Sequence, residues 1–119
     1  MNCFGLVSLE VHKEDLGNVL IYHLIGELDA YTSDSFEKEV SSTINEKART
    51  YVLDLSGLDF ISSTGIGLIV GLREQLKEKN LDLKLAEAQE SVKRIFEIVG
   101  LDEIFVFYNT VEEAIQQMT

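Results

Sequence analysis

The sequence contains no proline, one cysteine, two histidines and no long apolar run. Without proline, glycines and short polar clusters must mark the boundaries between elements. Cys3 has no partner for an internal disulfide, and with His12 and His23 it lacks the ligand spacing of a zinc site. No apolar run approaches the roughly 20 residues that cross a bilayer. We therefore expect a protein without a structural metal or cofactor and without membrane insertion.

Basic residues are also scarce. The chain has 10 basic and 21 acidic residues, which give a formal charge of −11. Such a charge opposes binding to nucleic acid or anionic lipid. Solubility alone explains most acidic surfaces, and the remaining explanation is a partner with a basic face. Residues 1–119 suit one compact domain. The segment 1–6 has neither a basic opening nor a long apolar stretch, so we expect no secretion signal and a cytoplasmic location.

Hydrophobic periodicity predicts the order β-β-α-β-α-β-α-β-α. Two alternating segments joined by turn residues should form an antiparallel hairpin. The predicted strands are 6–13, 19–25, 51–55, 81–86 and 104–108, and the helices are 33–46, 64–79, 92–99 and 110–118. Thr32 or Ser33 should cap the first helix, Gly100 should end the third, and Thr110 with Glu113 has the capping-box pattern of the fourth.

Strands separated by helices need crossover connections and hence a largely parallel sheet. The opening hairpin adds one antiparallel edge to this sheet. The predicted class is therefore α/β, a mixed and mostly parallel sheet with about four helices, with strands 51–55 and 81–86 at its centre.

One stretch, 54–67, changes from strand to helix periodicity across a hydroxyl cluster, Ser62, Ser63 and Thr64. The first N–H groups of a helix lack partners, and the helix dipole is positive there. A hydroxyl at this place caps the helix, and an added phosphate would be electrostatically favourable. Simple capping and a functional role both remain open at this point.

Two enzymatic or ligand-binding interpretations of the cluster are weak. A nucleophilic serine needs a base, and nothing in the spacing places His12 or His23 near Ser63. The Gly-x-Ser-x-Gly pattern is absent, as are the P-loop and the third glycine of a dinucleotide fingerprint. Gly65 and Gly67, with Gly71 four residues later, are explained by close packing of the helix on a neighbouring strand.

The third interpretation makes one hydroxyl the acceptor of a phosphate from another protein. Phosphorylation adds about −1.5 to −2 charges and three strong acceptor oxygens. The N–H groups at the helix start could hold the new charge. Asp29 and Asp59 are candidate neighbours that repel the phosphate or orient the hydroxyl.

Four motifs in order resemble the STAS domain family, and in particular the bacterial anti-sigma factor antagonists. The segment 54–67, Asp-Leu-Ser-x-Leu-x-Phe-Ile-Ser-Ser-Thr-Gly-Ile-Gly, is similar to the family signature. The other three are Gly-Glu-Leu-Asp at 26–29, Val-Lys-Arg-Ile-Phe at 92–96, and the closing segment with Gly-Leu at 100–101 and Ile-Phe at 104–105. The resemblance extends from about residue 7 to 116.

The resemblance implies a partner switch. An unphosphorylated antagonist of this family binds an anti-sigma factor that is also a serine kinase of the GHKL type, and thereby frees a sigma factor. The kinase, which brings ATP and magnesium, phosphorylates the antagonist and is released; a serine phosphatase is a further possible partner. The chain itself is then no enzyme.

The family pattern makes Ser63 the acceptor, with Thr64 as the neighbouring hydroxyl. It also implies that Asp29 lies near the phosphorylation site. We expect the 58–67 turn and its helix, with Asp59, Gly65, Ile66 and Gly67, to form the partner surface. One departure is Ser62, because the family commonly has Asp there; its loss could alter kinase recognition or let Ser62 compete as acceptor. Two alternatives remain, an unswitched interaction module of a signalling or transport assembly and a small nucleotide-binding domain.

Overall fold

The computed structural model describes residues 2–5 and 8–116, and of 2–5 only the backbone. Strands and helices follow one another along this part of the chain. In order they are β1 (Asn2–Gly5), β2 (Leu9–Asp15), β3 (Val19–Leu28), α1 (Ser33–Ile44), β4 (Thr50–Ile61), α2 (Ser63–Glu78), β5 (Leu83–Ala86), α3 (Glu90–Ile98), β6 (Phe107–Tyr108) and α4 (Val111–Gln116).

The strands form one mixed sheet in the order β1-β2-β3-β4-β5-β6. The first three pair antiparallel, and β3 to β6 pair in parallel. Each parallel step is bridged by a helix, α1, α2 or α3, as crossover geometry requires. The predicted α/β class, the opening hairpin and the four helices are confirmed. The carboxyl ends of β3 and β4 lie side by side, and the next segments begin α1 and α2.

Three predictions about the strands are wrong: their number, the centre of the sheet and the length of the last strand. An additional strand, β1, precedes the hairpin, so the middle of the sheet is β3 with β4, whereas β5 lies beside the short edge strand β6. The last strand covers only two residues, because Phe105 turns inward and packs on Phe96 with ring centroids 5.6 Å apart.

Some predictions fall outside the residues that the structure describes. These are the strand residues 6–7, Met118 in the last helix and the side chain of Cys3.

Strand β4 is also longer than predicted, since it continues through Gly57 to Ile61. The predicted strand ends at residue 55, but the chain stays extended through Ser56 and Gly57, and the register between β3 and β4 shifts here. A Cβ added to Gly57 would lie 2.8 Å from the Ile25 side chain, so glycine lets the two strands approach at the irregularity. The extension brings the end of β4 level with the end of β3, where Leu28 and Ile61 are register partners.

Strand alternation divides the buried residues between the two faces of the sheet. Leu20, Tyr22 and Leu24 belong to the larger core, which also contains the inward side chains of α1, α2 and α3. Val19 and Ile21 belong to a smaller core with Val111 and Ala114 of α4. Within residues 8–116, no helix has the length and apolar character needed to span a bilayer.

The predicted helix boundaries at 100 and 110 are confirmed. Gly100 has a φ of +77°, the left-handed conformation expected after a helix end. Thr110 Oγ1 accepts a hydrogen bond from the Glu113 N–H at 3.0 Å, which caps α4.

Candidate functional site

The hydroxyl cluster lies at the junction of β4 and α2, and Ser62 is the N-cap residue of this helix. Its backbone is extended, and its Oγ accepts a hydrogen bond from the Gly65 N–H at 3.2 Å. Its carbonyl oxygen accepts from the Ile66 N–H at 2.9 Å. The Ser62 hydroxyl is therefore occupied in starting the helix, as the capping interpretation predicts for one of the three.

Ser63 and Thr64 are the first two residues of α2, and both are exposed. Neither hydroxyl has a hydrogen-bond partner among the residues that the structure describes. The first turn of α2 contains no acidic residue. An anion on either hydroxyl would meet the positive end of a helix of 16 residues.

The glycines after the cluster differ in what they do. A Cβ added to Gly65 would lie 2.5 Å from the Leu28 carbonyl oxygen, so glycine is required for α2 to start against the end of β3. At Gly67 and Gly71 an added Cβ would meet nothing within 4 Å, so the packing explanation is wrong for these two positions. Ile66 points into the core and is 5% exposed, so it supports the turn from inside.

The turn between β3 and α1 lies beside the cluster, because the Ser62 N–H donates to the Leu28 carbonyl oxygen at 3.0 Å. Here Asp29 Oδ1 accepts from the N–H groups of Tyr31 and Thr32 at 2.9 and 3.1 Å. Asp29 thus shapes its own turn. Thr32 is the N-cap residue of α1, one of the two predicted candidates, but its side chain makes no hydrogen bond to the helix N–H groups.

The two hydroxyls of this turn point back toward β3 instead. Thr32 Oγ1 donates to the Glu27 carbonyl oxygen and accepts from the Asp29 N–H at 2.9 Å. Ser33 Oγ donates to the Asp29 carbonyl oxygen at 2.6 Å. Thr32 and Ser33 are 1% and 3% exposed.

Asp59 lies three residues before the cap of α2 and is exposed. Its Oδ1 accepts a hydrogen bond at 3.3 Å from Gln89, whose side chain also donates to the Ser56 carbonyl oxygen. Asp59 is therefore tied to the start of α3, whereas Asp29 is tied to the start of α1. Leu28 and Ile61, the last residues of β3 and β4, are register partners, so both aspartates lie at the same end of the sheet.

A hollow of about 280 Å³ separates the starts of α1 and α2. The residues that line it are Ala30, Ser33, Asp34, Glu37, Thr64, Gly67 and Leu68. Two carboxylates and no basic side chain face this space. Sequence periodicity gave no sign of the hollow, because its two walls come from segments about 30 residues apart.

Both histidines lie in the sheet, away from α2. His23 belongs with Val19 and Ile21 by strand alternation, on the face that α4 covers, and His12 is its partner on β2. His23 Nδ1 bonds Asp54 Oδ2 at 2.6 Å, and Nε2 bonds Glu14 Oε1 at 3.0 Å. Ser63 begins a helix on the opposite face. A histidine base for Ser63 is therefore missing within residues 8–116, as is any cluster of residues suited to hold a metal.

Residues 10–114 match the family model described as the STAS domain. The anti-sigma F factor antagonist of Paenibacillus polymyxa is 28% identical over 113 residues, which are 94% of this chain and 97% of that protein. The anti-sigma-B factor antagonist of Listeria monocytogenes is 28% identical over 103 residues, which are 87% of this chain and 90% of that protein.

Solved structures of anti-sigma factor antagonists have the same fold as this chain. The anti-sigma factor antagonist SpoIIAA in its unphosphorylated form superimposes with a TM-score of 0.80 at 26% identity and covers 90% of this chain and 94% of its own. The phosphorylated form of the Bacillus protein SpoIIAA gives a TM-score of 0.72 at 25% identity, over 90% of this chain and 97% of its own. The likeness therefore spans nearly the whole of both proteins.

Proposed function

The chain belongs to the STAS family, and on that premise we propose that it is an anti-sigma factor antagonist that works by partner switching. Relatives with this name match it over nearly their whole length. One structural relative is known in phosphorylated and unphosphorylated forms. The proposed switch is phosphorylation of a hydroxyl at the start of α2.

The observation that carries the proposal is the state of Ser63. Its hydroxyl is exposed and unbonded within the described residues, at the first position of α2. Ser62 is less suitable, because its hydroxyl already caps the helix. Thr64 lines the hollow with Glu37, whose carboxylate would repel a phosphate there, and with Asp34, which is paired with Lys38 at 3.1 Å.

Phosphate on Ser63 changes the surface without disturbing the fold. The dianion lies at the helix N-terminus, where the helix dipole favours it. A partner that packs over the neutral hydroxyl would have to remove water from a doubly charged group, which is costly without a dedicated counter-charge. Unphosphorylated protein therefore binds, and phosphorylated protein is released.

The partner in this proposal is an anti-sigma factor that is also a serine kinase of the GHKL type, with a serine phosphatase to reset the switch. The contact surface on this protein includes Ser63 and Gly67, Asp29 and Asp59 lie at its edge, and Gly65 and Ile66 hold the start of α2 in place. We further propose that residues 1–119 act as one domain in the cytoplasm, where sigma factors act, and that the chain binds without catalysing a reaction.

A capture experiment from the protein's own cells tests this proposal. Tagged parent, Ser63→Ala and Ser63→Glu chains are purified under identical conditions, and bound proteins are identified by mass spectrometry. The parent and Ser63→Ala should retain a serine kinase, and Ser63→Glu should lose it. Equal retention by Ser63→Glu and the parent would refute the switch and favour an unswitched STAS interaction module.

The nucleotide-binding alternative finds less support. A triphosphate on the N–H groups near Gly65 would lie beside the hollow, whose charged lining residues are Asp34 and Glu37. Lysine and arginine are absent from that lining. Calorimetry with ATP and GTP should show no saturable binding to the purified chain.

A further inference from the structure

Tyr31 is the most exposed large hydrophobic side chain among the described residues. Its ring lies in the turn between β3 and α1 and is 91% accessible to water. Exposed aromatic residues of this kind are enriched among the few residues that dominate binding energy at protein interfaces. The ring has no structural task within the described fold that would explain a large apolar side chain at this position.

The backbone beneath Tyr31 is fixed by a dense set of hydrogen bonds. Asp29 Oδ1 accepts from the Tyr31 N–H at 2.9 Å and from the Thr32 N–H at 3.1 Å. Thr32 Oγ1 donates to the Glu27 carbonyl oxygen at 3.1 Å. Because the turn is ordered before any partner arrives, binding through Tyr31 loses little backbone entropy.

The same turn is joined to the start of α2. The Ser62 N–H donates to the Leu28 carbonyl oxygen, and Gly65 packs against that carbonyl. Ala30, next to Tyr31, lines the hollow that Thr64 and Gly67 line from the other side. A partner that covers Ser63 therefore reaches the turn that holds Tyr31.

The charge around Tyr31 is predominantly negative, and the nearest lysine in the sequence, Lys38, is paired with Asp34 at 3.1 Å. The segments 27–37 and 58–67 contain five acidic residues and no lysine or arginine, the acidic ones being Glu27, Asp29, Asp34, Glu37 and Asp59. A second copy of the chain in a two-fold dimer would place this surface against itself, which like charges oppose. The complementary partner has an apolar pocket bordered by basic side chains.

We infer that Tyr31 is the anchor of the docking surface for the anti-sigma factor, an inference that rests on the function proposed above. The ring enters an apolar pocket of the partner, and a lysine or arginine of the partner enters the hollow between α1 and α2, against Asp34 and Glu37. Asp29 is a positioning residue that holds the Tyr31 turn in its binding conformation. This docking surface consists of Tyr31, Asp34, Glu37, Ser63, Thr64 and Gly67.

Calorimetry with the purified serine kinase captured by the parent chain tests the anchor. Tyr31→Ala should weaken the affinity by about 30-fold or more, and Tyr31→Phe, which keeps the ring, by less than about threefold. Ile98→Ala is the matched control, because Ile98 is 75% exposed but lies at the end of α3. It should leave the affinity unchanged, and all three variants should melt like the parent.

A pair of variants at Asp29 separates positioning from charge. Asparagine retains a side-chain oxygen that can accept from both N–H groups, whereas alanine does not. Asp29→Ala should weaken binding by about 10-fold, and Asp29→Asn should restore most of the loss. Equal losses in both variants would show that Asp29 acts through its charge, and would contradict its positioning role.

The result that overturns the anchor is parent-like affinity of Tyr31→Ala together with lost affinity of Ser63→Glu. In that case the proposed function stands and the docking surface is wrong. If Ser63→Glu also binds like the parent, or if the parent captures no serine kinase, the proposed function fails and this inference fails with it.

Discussion

The starts of α1 and α2 resemble each other in sequence but differ in what their hydroxyls do. Each helix follows a parallel strand, has a hydroxyl residue at its N-cap, Thr32 or Ser62, and has serine at its first position, Ser33 or Ser63. At α1 the hydroxyls are buried and bonded to the preceding turn. At α2 Ser62 caps the helix, and the hydroxyl of Ser63 remains exposed.

The difference shows that a hydroxyl at a helix start is a candidate for phosphorylation only if it makes no hydrogen bond that the fold needs. At α1, both hydroxyls are buried and bond backbone groups of the preceding turn. At α2, Ser62 alone provides the cap, so Ser63 can be modified without removing a structural bond. Two similar sequence patterns thus leave their hydroxyls in different states, bonded at α1 and, for Ser63, exposed at α2.

The largest expected effect comes from one substitution made at both helix starts. Ser33→Glu places a charge at a position 3% exposed and should lower the free energy of unfolding by at least about 3 kcal/mol. Ser63→Glu should change it by less than about 0.5 kcal/mol, because the position is exposed and the helix dipole favours an acid there. Urea denaturation followed by circular dichroism measures both. Similar losses at the two positions would remove the distinction between them.

Removal of single hydroxyls should give a smaller graded series. Thr32→Val leaves the Glu27 carbonyl oxygen and the Asp29 N–H without their partner and should cost about 1–3 kcal/mol. Ser62→Ala removes the cap and should cost about 1 kcal/mol, whereas Ser62→Asp should retain the stability of the parent. Ser63→Ala should cost nothing measurable in the same urea experiment. A destabilised Ser63→Ala variant would mean that this hydroxyl has a structural role after all.

The smallest effect concerns His23, which lies on β3 and bonds Asp54 of β4. Burial opposes its charged form, but the carboxylates of Asp54 and Glu14 outweigh this and raise the pKa of His23 above 6.5. A raised folded-state pKa adds stability that is fully present below the unfolded pKa and is lost as the pH rises through the folded one.

The parent should therefore exceed His23→Gln in unfolding free energy most clearly at about pH 6, and the difference should shrink toward about pH 8. Urea titrations at both pH values measure it. Affinity for the kinase should be the same for the two proteins at each pH, since His23 belongs to neither helix start. A pH-independent stability difference would contradict the ion-pair account.

Local patterns were sufficient to predict the helix starts, the hydroxyl cluster and the need for Gly65. They failed where the outcome depends on contacts between distant segments. The predicted end of β4 is too early, because only the approach of β3 shows that Gly57 lies within a strand. The sequence predicts that Thr32 or Ser33 caps α1, but the Thr32 hydroxyl accepts from the Asp29 N–H and donates to the Glu27 carbonyl oxygen instead.

The exposure of Tyr31 and the hollow beside it could not be predicted from the sequence, for the same reason. Tyr31 lies in a turn with no periodicity to indicate which way the ring points. The hollow needs both α1 and α2 for its walls. Gly67, predicted as a packing residue, has open space around it, and only the tertiary structure reveals that the surface there is bare.

The most direct test of the account is phosphopeptide mapping of the protein isolated from its own cells. Trypsin places the two helix starts in separate peptides, 14–38 with Thr32 and Ser33 and 50–73 with Ser62, Ser63 and Thr64. The account predicts phosphate in peptide 50–73, on Ser63. Phosphate on Thr32 or Ser33, or none under any growth condition, would contradict the claim that the exposed start of α2 is the switch.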